Sequence, residues 1–171
     1  MLEKFHVAKE DIIHIEEERL RSVTKEILMT QDISEKDALL ATDALIKADL
    51  RGVESHGVSN MLRAYLGAFK SNSLNPKPNW KIVKETASCA TINSDNGLGI
   101  VVAPQAMEIA VEKAKKTGAG IVTMNNCGHL GMLAYHSMIA SDNDMIGTTM
   151  AACSPRMVPT YSSVRALGTN P

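Results

Sequence analysis

The sequence predicts an α/β protein in two parts, a helical segment over residues 1–75 and a sheet-containing segment over residues 76–171. Three observations carry this expectation. Apolar residues recur at helical spacing between Asp11 and Lys70. The stretch SNSLNPKPNW (71–80) then breaks the pattern, setting two prolines among serines and asparagines. Beyond it, short β-type runs alternate with helical stretches.

The first helix is expected within DIIHIEEERLRSVTKEILMTQ (11–31), where Ile12, Ile15, Leu20, Val23, Ile27 and Leu28 lie near helical spacing with charges between them. Asp32-Ile33-Ser34 ends it, and Ser34-x-x-Asp37 resembles a capping box opening a second helix. That helix carries Ala38, Ala41, Leu45 and Ala48 and stops near Gly52. In the third, Val58, Met61, Leu62, Tyr65, Leu66 and Phe69 recur at i, i+3, i+4, i+7, i+8 and i+11, the cleanest amphipathic pattern in the chain. KIVKE (81–85) and SCATIN (88–93) read as strands separated by a turn. Pro104 is placed in the first turn of a helix that runs to Lys116 and stops at Gly118. GIVTM (120–124) reads as a strand, MLAYHSMIAS (132–141) as a helix, and MIGTTMAA (145–152) as a further strand. The remainder is a long loop closing on the turn GTNP, with no element after it to close the core, so the chain reads as a fragment. Local βαβ alternation alone predicts a doubly wound parallel sheet.

Composition narrows the function. Of 171 residues, 44% are hydrophobic and 22% charged, the balance of an ordinary globular protein. The net charge of −1, without a basic cluster, gives no electrostatic footprint for nucleic acid. Aromatics are only 4% against ten methionines, so the interior is aliphatic and methionine-filled. No apolar run approaches the roughly 18 residues of a membrane span, and the charged N-terminus lacks a signal-peptide core. Cys89, Cys127 and Cys153 are scattered and odd in number, which argues against a disulfide framework and for a reducing, cytoplasmic setting.

Five places hold candidate chemistry-bearing residues. Gly97-Leu-Gly99 lies between a strand and a helix, as in a dinucleotide fingerprint, but the spacing is incomplete and no acidic residue ends the next strand. A plain glycine-rich turn is the better reading there. His56, in ESHGVSN, follows Ser55, a plausible N-cap of the third helix. The free N–H groups of a helix start attract a carboxylate, and an imidazole there can give or take a proton. The helix end disfavours imidazolium while Glu54 favours it, so the protonation state stays open, as does an idle histidine at a capped helix start. His129 stands between glycines in CGHLG, past a strand and before a helix, where open sheets bind ligands. His6, His14 and His136 fall in a tail or on helical surfaces, and no histidine pair has metal-ligand spacing. Arg63, about two turns beyond His56, suits a bidentate carboxylate contact or equally a solvated surface. Cys153 lacks the elbow and base of a nucleophile.

RGVESHGVSNMLRAYL, NNCGHLGMLAYHS, SPRMVP and the closing LGTNP, in that order, resemble the malate/L-lactate dehydrogenase family of the second type, which includes ureidoglycolate and sulfolactate dehydrogenases. The resemblance runs from about residue 10 to Pro171. It implies a helical domain followed by part of a non-Rossmann NAD(P)-binding domain, built on a largely antiparallel mixed sheet flanked by helices. It thereby replaces the doubly wound expectation. It implies an oxidoreductase using NAD or NADP on a small 2-hydroxy or 2-oxo acid, working as a homodimer. It places His56 and His129 as alternative acid/base residues, Ser55 near substrate and cofactor, and Ser154, Pro155, Thr169 and Asn170 around the nicotinamide cofactor. Two positions depart from the common pattern. Asn60 stands where many members have arginine, leaving Arg63 as the nearer carboxylate partner, and Tyr161-Ser162-Ser163 replaces glycines. A non-catalytic fragment or dimerisation module, and a Rossmann-type binder using Gly97 and Gly99, are the competing readings.

Overall fold

The computed structural model describes residues 8, 10 and 12–171, so His6 and Asp11 lie outside the described residues. Helix α1 spans Glu17–Met29, starting later than its apolar pattern predicts. Ile12, Ile13 and Ile15 are exposed, and without a core to pack on, their spacing alone does not sustain a helix. Helix α2 (Glu35–Leu50) opens as expected: Ser34 Oγ accepts from the Asp37 N–H at 3.1 Å. A 3₁₀ turn, Glu54–His56, separates it from α3 (Val58–Lys70).

After the proline-rich break, β1 (Lys81–Glu85) and β2 (Cys89–Asn93) form an antiparallel hairpin closed by the Thr86 N–H on the Cys89 carbonyl at 2.8 Å. Helix α4 (Gly99–Thr117) crosses over to β3 (Ile121–Asn125), which pairs parallel to β2, giving the order β1-β2-β3. The sheet is therefore mixed, as the resemblance implies, and not doubly wound. The hairpin decides this, because a connection this short cannot return a strand in parallel. Helix α5 (Leu133–Ser141) packs on α4.

Helix α4 opens before its expected start, so Pro104 sits inside it rather than in the first turn, depriving the Ile100 carbonyl of its usual partner. Gly118 ends it in the left-handed region at φ 83°, a conformation cheap only for glycine. Residues 145–152 form no strand. They run back along α5, where Gly147 lies against the Ser137 carbonyl and Thr149 Oγ1 meets Ser137 Oγ at 2.9 Å. Ile146, 98% exposed, and Met150 face outward, while Thr149 turns in to α5.

One main core unites both parts of the chain. Leu28, Leu45, Leu62, Tyr65 and Phe69 from the helices join Leu98, Ile100, Val101, Met132 and Tyr135 from beyond the break. Ile92, Val102 and Ala106 form a smaller cluster between α4 and the sheet. Burying these aliphatic side chains supplies the driving force, at roughly 1.5–3 kcal/mol for each large one. The shared core is what holds α3 against the loop after β3.

Candidate active site

His56 is positioned by the junction of α2 and α3. Its N–H donates to the Val53 carbonyl at 2.9 Å, and the Asn60 side-chain amide donates to the Glu54 carbonyl at 2.8 Å, closing the turn. Ser55 is not the cap of α3, contrary to expectation: Gly57 occupies that position and offers no side chain. The Asp49 carboxylate, reaching across from α2, accepts from the Val58 N–H at 2.9 Å instead. This frees the Ser55 hydroxyl to bond His56 Nδ1 at 2.9 Å.

His129 lies on the loop after β3, seated on the start of α4. Gly128 N–H donates to the Gly97 carbonyl at 2.9 Å, and Ile100 N–H to the His129 carbonyl at 3.2 Å. A side chain at Gly99 would run into the Gly128 and His129 backbone. The glycines of the false dinucleotide fingerprint therefore receive the His129 loop, and a helix-start N–H that could have met a phosphate is already used. His136, expected on a helical surface, is 1% exposed and pairs through Nε2 with the Leu130 carbonyl at 2.8 Å, bracing the same loop.

The His129 ring has a fixed tautomer. Gly131 N–H meets its Nδ1 at 3.2 Å, and the Tyr65 hydroxyl meets the same nitrogen at 2.9 Å. A backbone N–H can only donate, so Nδ1 accepts and neutral His129 carries its proton on Nε2. Tyr65, 2% exposed on the buried face of α3, then donates as well. Burial pushes its phenol far above the usual value, so it stays protonated.

The two imidazoles stack, centroids 5.4 Å apart and planes 15° from parallel. Burial lowers the pKa of His56 from its ordinary value, which favours the neutral ring. His129 is lowered by burial first and then by the proximity of His56. Two imidazoles side by side, one with its Nδ1 held as an acceptor and the other bonded to a hydroxyl, are groups of a kind that can hold and pass a proton.

Other expected residues lie apart from this pair. Arg63 is exposed on α3 and forms no ion pair among the described residues. Ser154, Pro155, Thr169 and Asn170 are exposed on a strap that folds back on itself through the Met157–Leu167 bridge. The Cys153 N–H donates to Asn170 Oδ1 at 2.9 Å and the Ala151 N–H to the Pro171 carbonyl at 2.8 Å, so the SP and TNP segments lie side by side. Tyr65 and Asp49 were missed in the sequence. Tyr65 was hidden in an apolar stripe, its only signal being a hydroxyl on a buried face. Asp49 gave no local signal, because its partner lies on another helix.

The fold and the sequence belong to a known class. The sequence profile described as malate/L-lactate dehydrogenase matches residues 15–171, and the chain belongs to that family. A malate dehydrogenase of Pyrococcus abyssi is 41% identical over 171 residues, 100% of this chain and 47% of that protein. An L-sulfolactate dehydrogenase of Methanocaldococcus jannaschii is 42% identical over 146 residues, 85% of this chain and 42% of that protein. The structure of malate dehydrogenase from Pyrococcus horikoshii OT3 superposes with a TM-score of 0.92 at 40% identity, covering 100% of this chain and 49% of that one. The chain thus spans about half the length of the curated relatives it matches.

Proposed function

We propose that this chain supplies the proton-transfer groups of an NAD- or NADP-dependent oxidoreductase acting on a small 2-hydroxy or 2-oxo acid. The observation that supports this best is the His56–His129 pair held by Ser55 and Tyr65. In oxidation, His56 Nε2 takes the proton of the substrate hydroxyl; in reduction it returns it. For Nε2 to act as the base, Nδ1 carries the ring proton and donates to the Ser55 oxygen, in the neutral ring and in the imidazolium alike. His129, with no free lone pair at Nδ1, offers its Nε2–H as a hydrogen-bond donor to the same substrate oxygen. Arg63, with its guanidinium free in solvent, is the proposed partner of the substrate carboxylate.

The exposed neutral groups of Ser154, Thr169 and Asn170, with Pro155 shaping the strap, suit the carboxamide and hydroxyls of a nicotinamide dinucleotide, which when bound supplies or accepts the hydride. The division into a helical domain to residue 75 and a cofactor-binding domain after it is part of this proposal. So are a cytoplasmic setting, supported by three free cysteines, and a homodimer, supported by the exposed apolar side chains of Ile146, Met150 and Val164.

Malate and sulfolactate, the acids named for the two relatives above, are the substrates to assay first, with NAD and NADP in parallel. Turnover is expected with at least one pairing, and His56→Ala should lower kcat by about 10²–10⁴-fold while dinucleotide binding persists. Full turnover in both His56→Ala and His129→Ala would overturn the assignment.

A further inference from the structure

Helix α3 begins without a cap of its own. Gly57 contributes no side chain, and no acidic residue occupies the first turn. Uncompensated N–H groups and the positive end of the helix dipole are left at the residue that follows the His56 turn. Asp49, from the last turn of α2, answers both needs. Its Oδ2 accepts from the Val58 N–H at 2.9 Å, and its carboxylate fills the space where a side chain at residue 57 would stand. Glycine at 57 thus has a reason besides backbone freedom: the Asp49 carboxylate occupies the room. The Asp49 main chain also shapes the turn, since its carbonyl accepts from the Gly52 N–H at 2.9 Å, with Gly52 in the left-handed region at φ 70°.

Resting on the proton-transfer reading above, we propose that Asp49 is the positioning residue for His56, its carboxylate capping α3 from across the helix junction and so fixing the imidazole in its stack on His129. Asp49 hydrogen-bonds neither imidazole among the described residues and takes no part in proton transfer. It acts through two residues, Gly57 and Val58, that follow His56 directly. Ser55 and Asn60 orient the ring and close the turn, but both are exposed and move with the segment they belong to. Among the described residues, Asp49 alone ties that segment to a different helix by a side-chain hydrogen bond, and the bond is partly buried.

The stack provides a readout independent of turnover. Burial holds the His56 pKa low, so loosening the turn raises it, whereas merely deleting a nearby negative charge lowers it further. The two outcomes have opposite signs. The pH titration of the histidine Cε1–H resonances is therefore followed by NMR in the protein and in Asp49→Ala, Asp49→Asn and Gly57→Ala. Asp49→Ala should raise the His56 titration midpoint toward that of an ordinary histidine. Asp49→Asn retains an oxygen acceptor for Val58 and should leave the midpoint at or below the wild-type value. Gly57→Ala should reproduce the Asp49→Ala shift and add nothing to it in the double variant, because both break one contact. A His56 midpoint that falls or stands still in a folded Asp49→Ala protein overturns the proposal, as does an Asp49→Asn protein that matches Asp49→Ala. Should Asp49→Ala not fold, Gly57→Ala and Asp49→Asn still decide by the same signs. Because the titration needs neither substrate nor cofactor, failure of the oxidoreductase reading would appear separately, as absent turnover in the wild-type protein.

Discussion

The two histidine-bearing segments reach the same stack by opposite means. His56 sits in a short 3₁₀ turn between helices, its ring bonded among the described residues only to the neighbouring Ser55 hydroxyl. His129 sits in a glycine-lined loop whose backbone is tied to α4, and its Nδ1 receives two donors, one of them incapable of reversal. Protonating His129 at Nδ1 would cost the Gly131 bond and turn Tyr65 around. Protonating His56 at Nε2 leaves its Nδ1–H bond to the Ser55 oxygen in place. Identical side chains at 5.4 Å are thereby suited to different tasks, proton transfer for one and fixed hydrogen-bond donation for the other.

The sharpest way to break this comparison is to replace each imidazole by an amide. Glutamine donates a hydrogen bond but does not titrate near neutrality, so His56→Gln should lose about 10²–10⁴-fold in kcat while His129→Gln retains substantially more. Equal losses in steady-state kinetics would mean that His129 transfers protons too. Next in size, Gly99→Ala drives a methyl group into the Gly128 and His129 backbone. It should cost about 1–3 kcal/mol of stability by denaturant unfolding, a penalty typical of overpacking, whereas changes around the exposed Ser55 should cost far less. Tyr65→Phe removes one of the two donors to Nδ1 and should cost about 0.5–1.5 kcal/mol, with a smaller fall in turnover than either histidine change.

The smallest effect is a pH dependence that the histidines share. His56, His129 and His136 all have pKa values lowered below 6.5, for each chiefly by burial. The unfolded chain then binds more protons than the native one as pH falls past that value. Their contribution to stability is intact above about pH 6.5 and is lost progressively on acidification toward their folded-state values. Thermal unfolding should therefore show a lower Tm at pH 5.5 than at pH 7.5, and His136→Leu should reduce that slope.

Much of this frame was legible in the chain. The α3 stripe, the Ser34 cap, the β1–β2 hairpin and the Gly118 stop rest on local chemistry, in which a residue and its partner lie within a few positions of each other. Elements that failed depended on distant partners. Residues 145–152 have strand composition but find α5 rather than a strand, and Ile12 and Ile15 have helical spacing but no surface to cover. Gly97 and Gly99 imitated a phosphate loop because close backbone approach is the common demand; only the fold reveals that the approaching group is the His129 loop.

By itself the sequence determined which histidines are reactive candidates, where most helices and strands lie, and, through four ordered motifs, the family. The tertiary structure alone decided that His56 and His129 face each other, that Tyr65 locks one tautomer, and that Asp49 rather than Ser55 caps α3. Those outcomes depend on side chains brought together across helix and loop junctions by the shared core. Local periodicity constrains the direction a residue faces on its own element, and only packing determines what it meets.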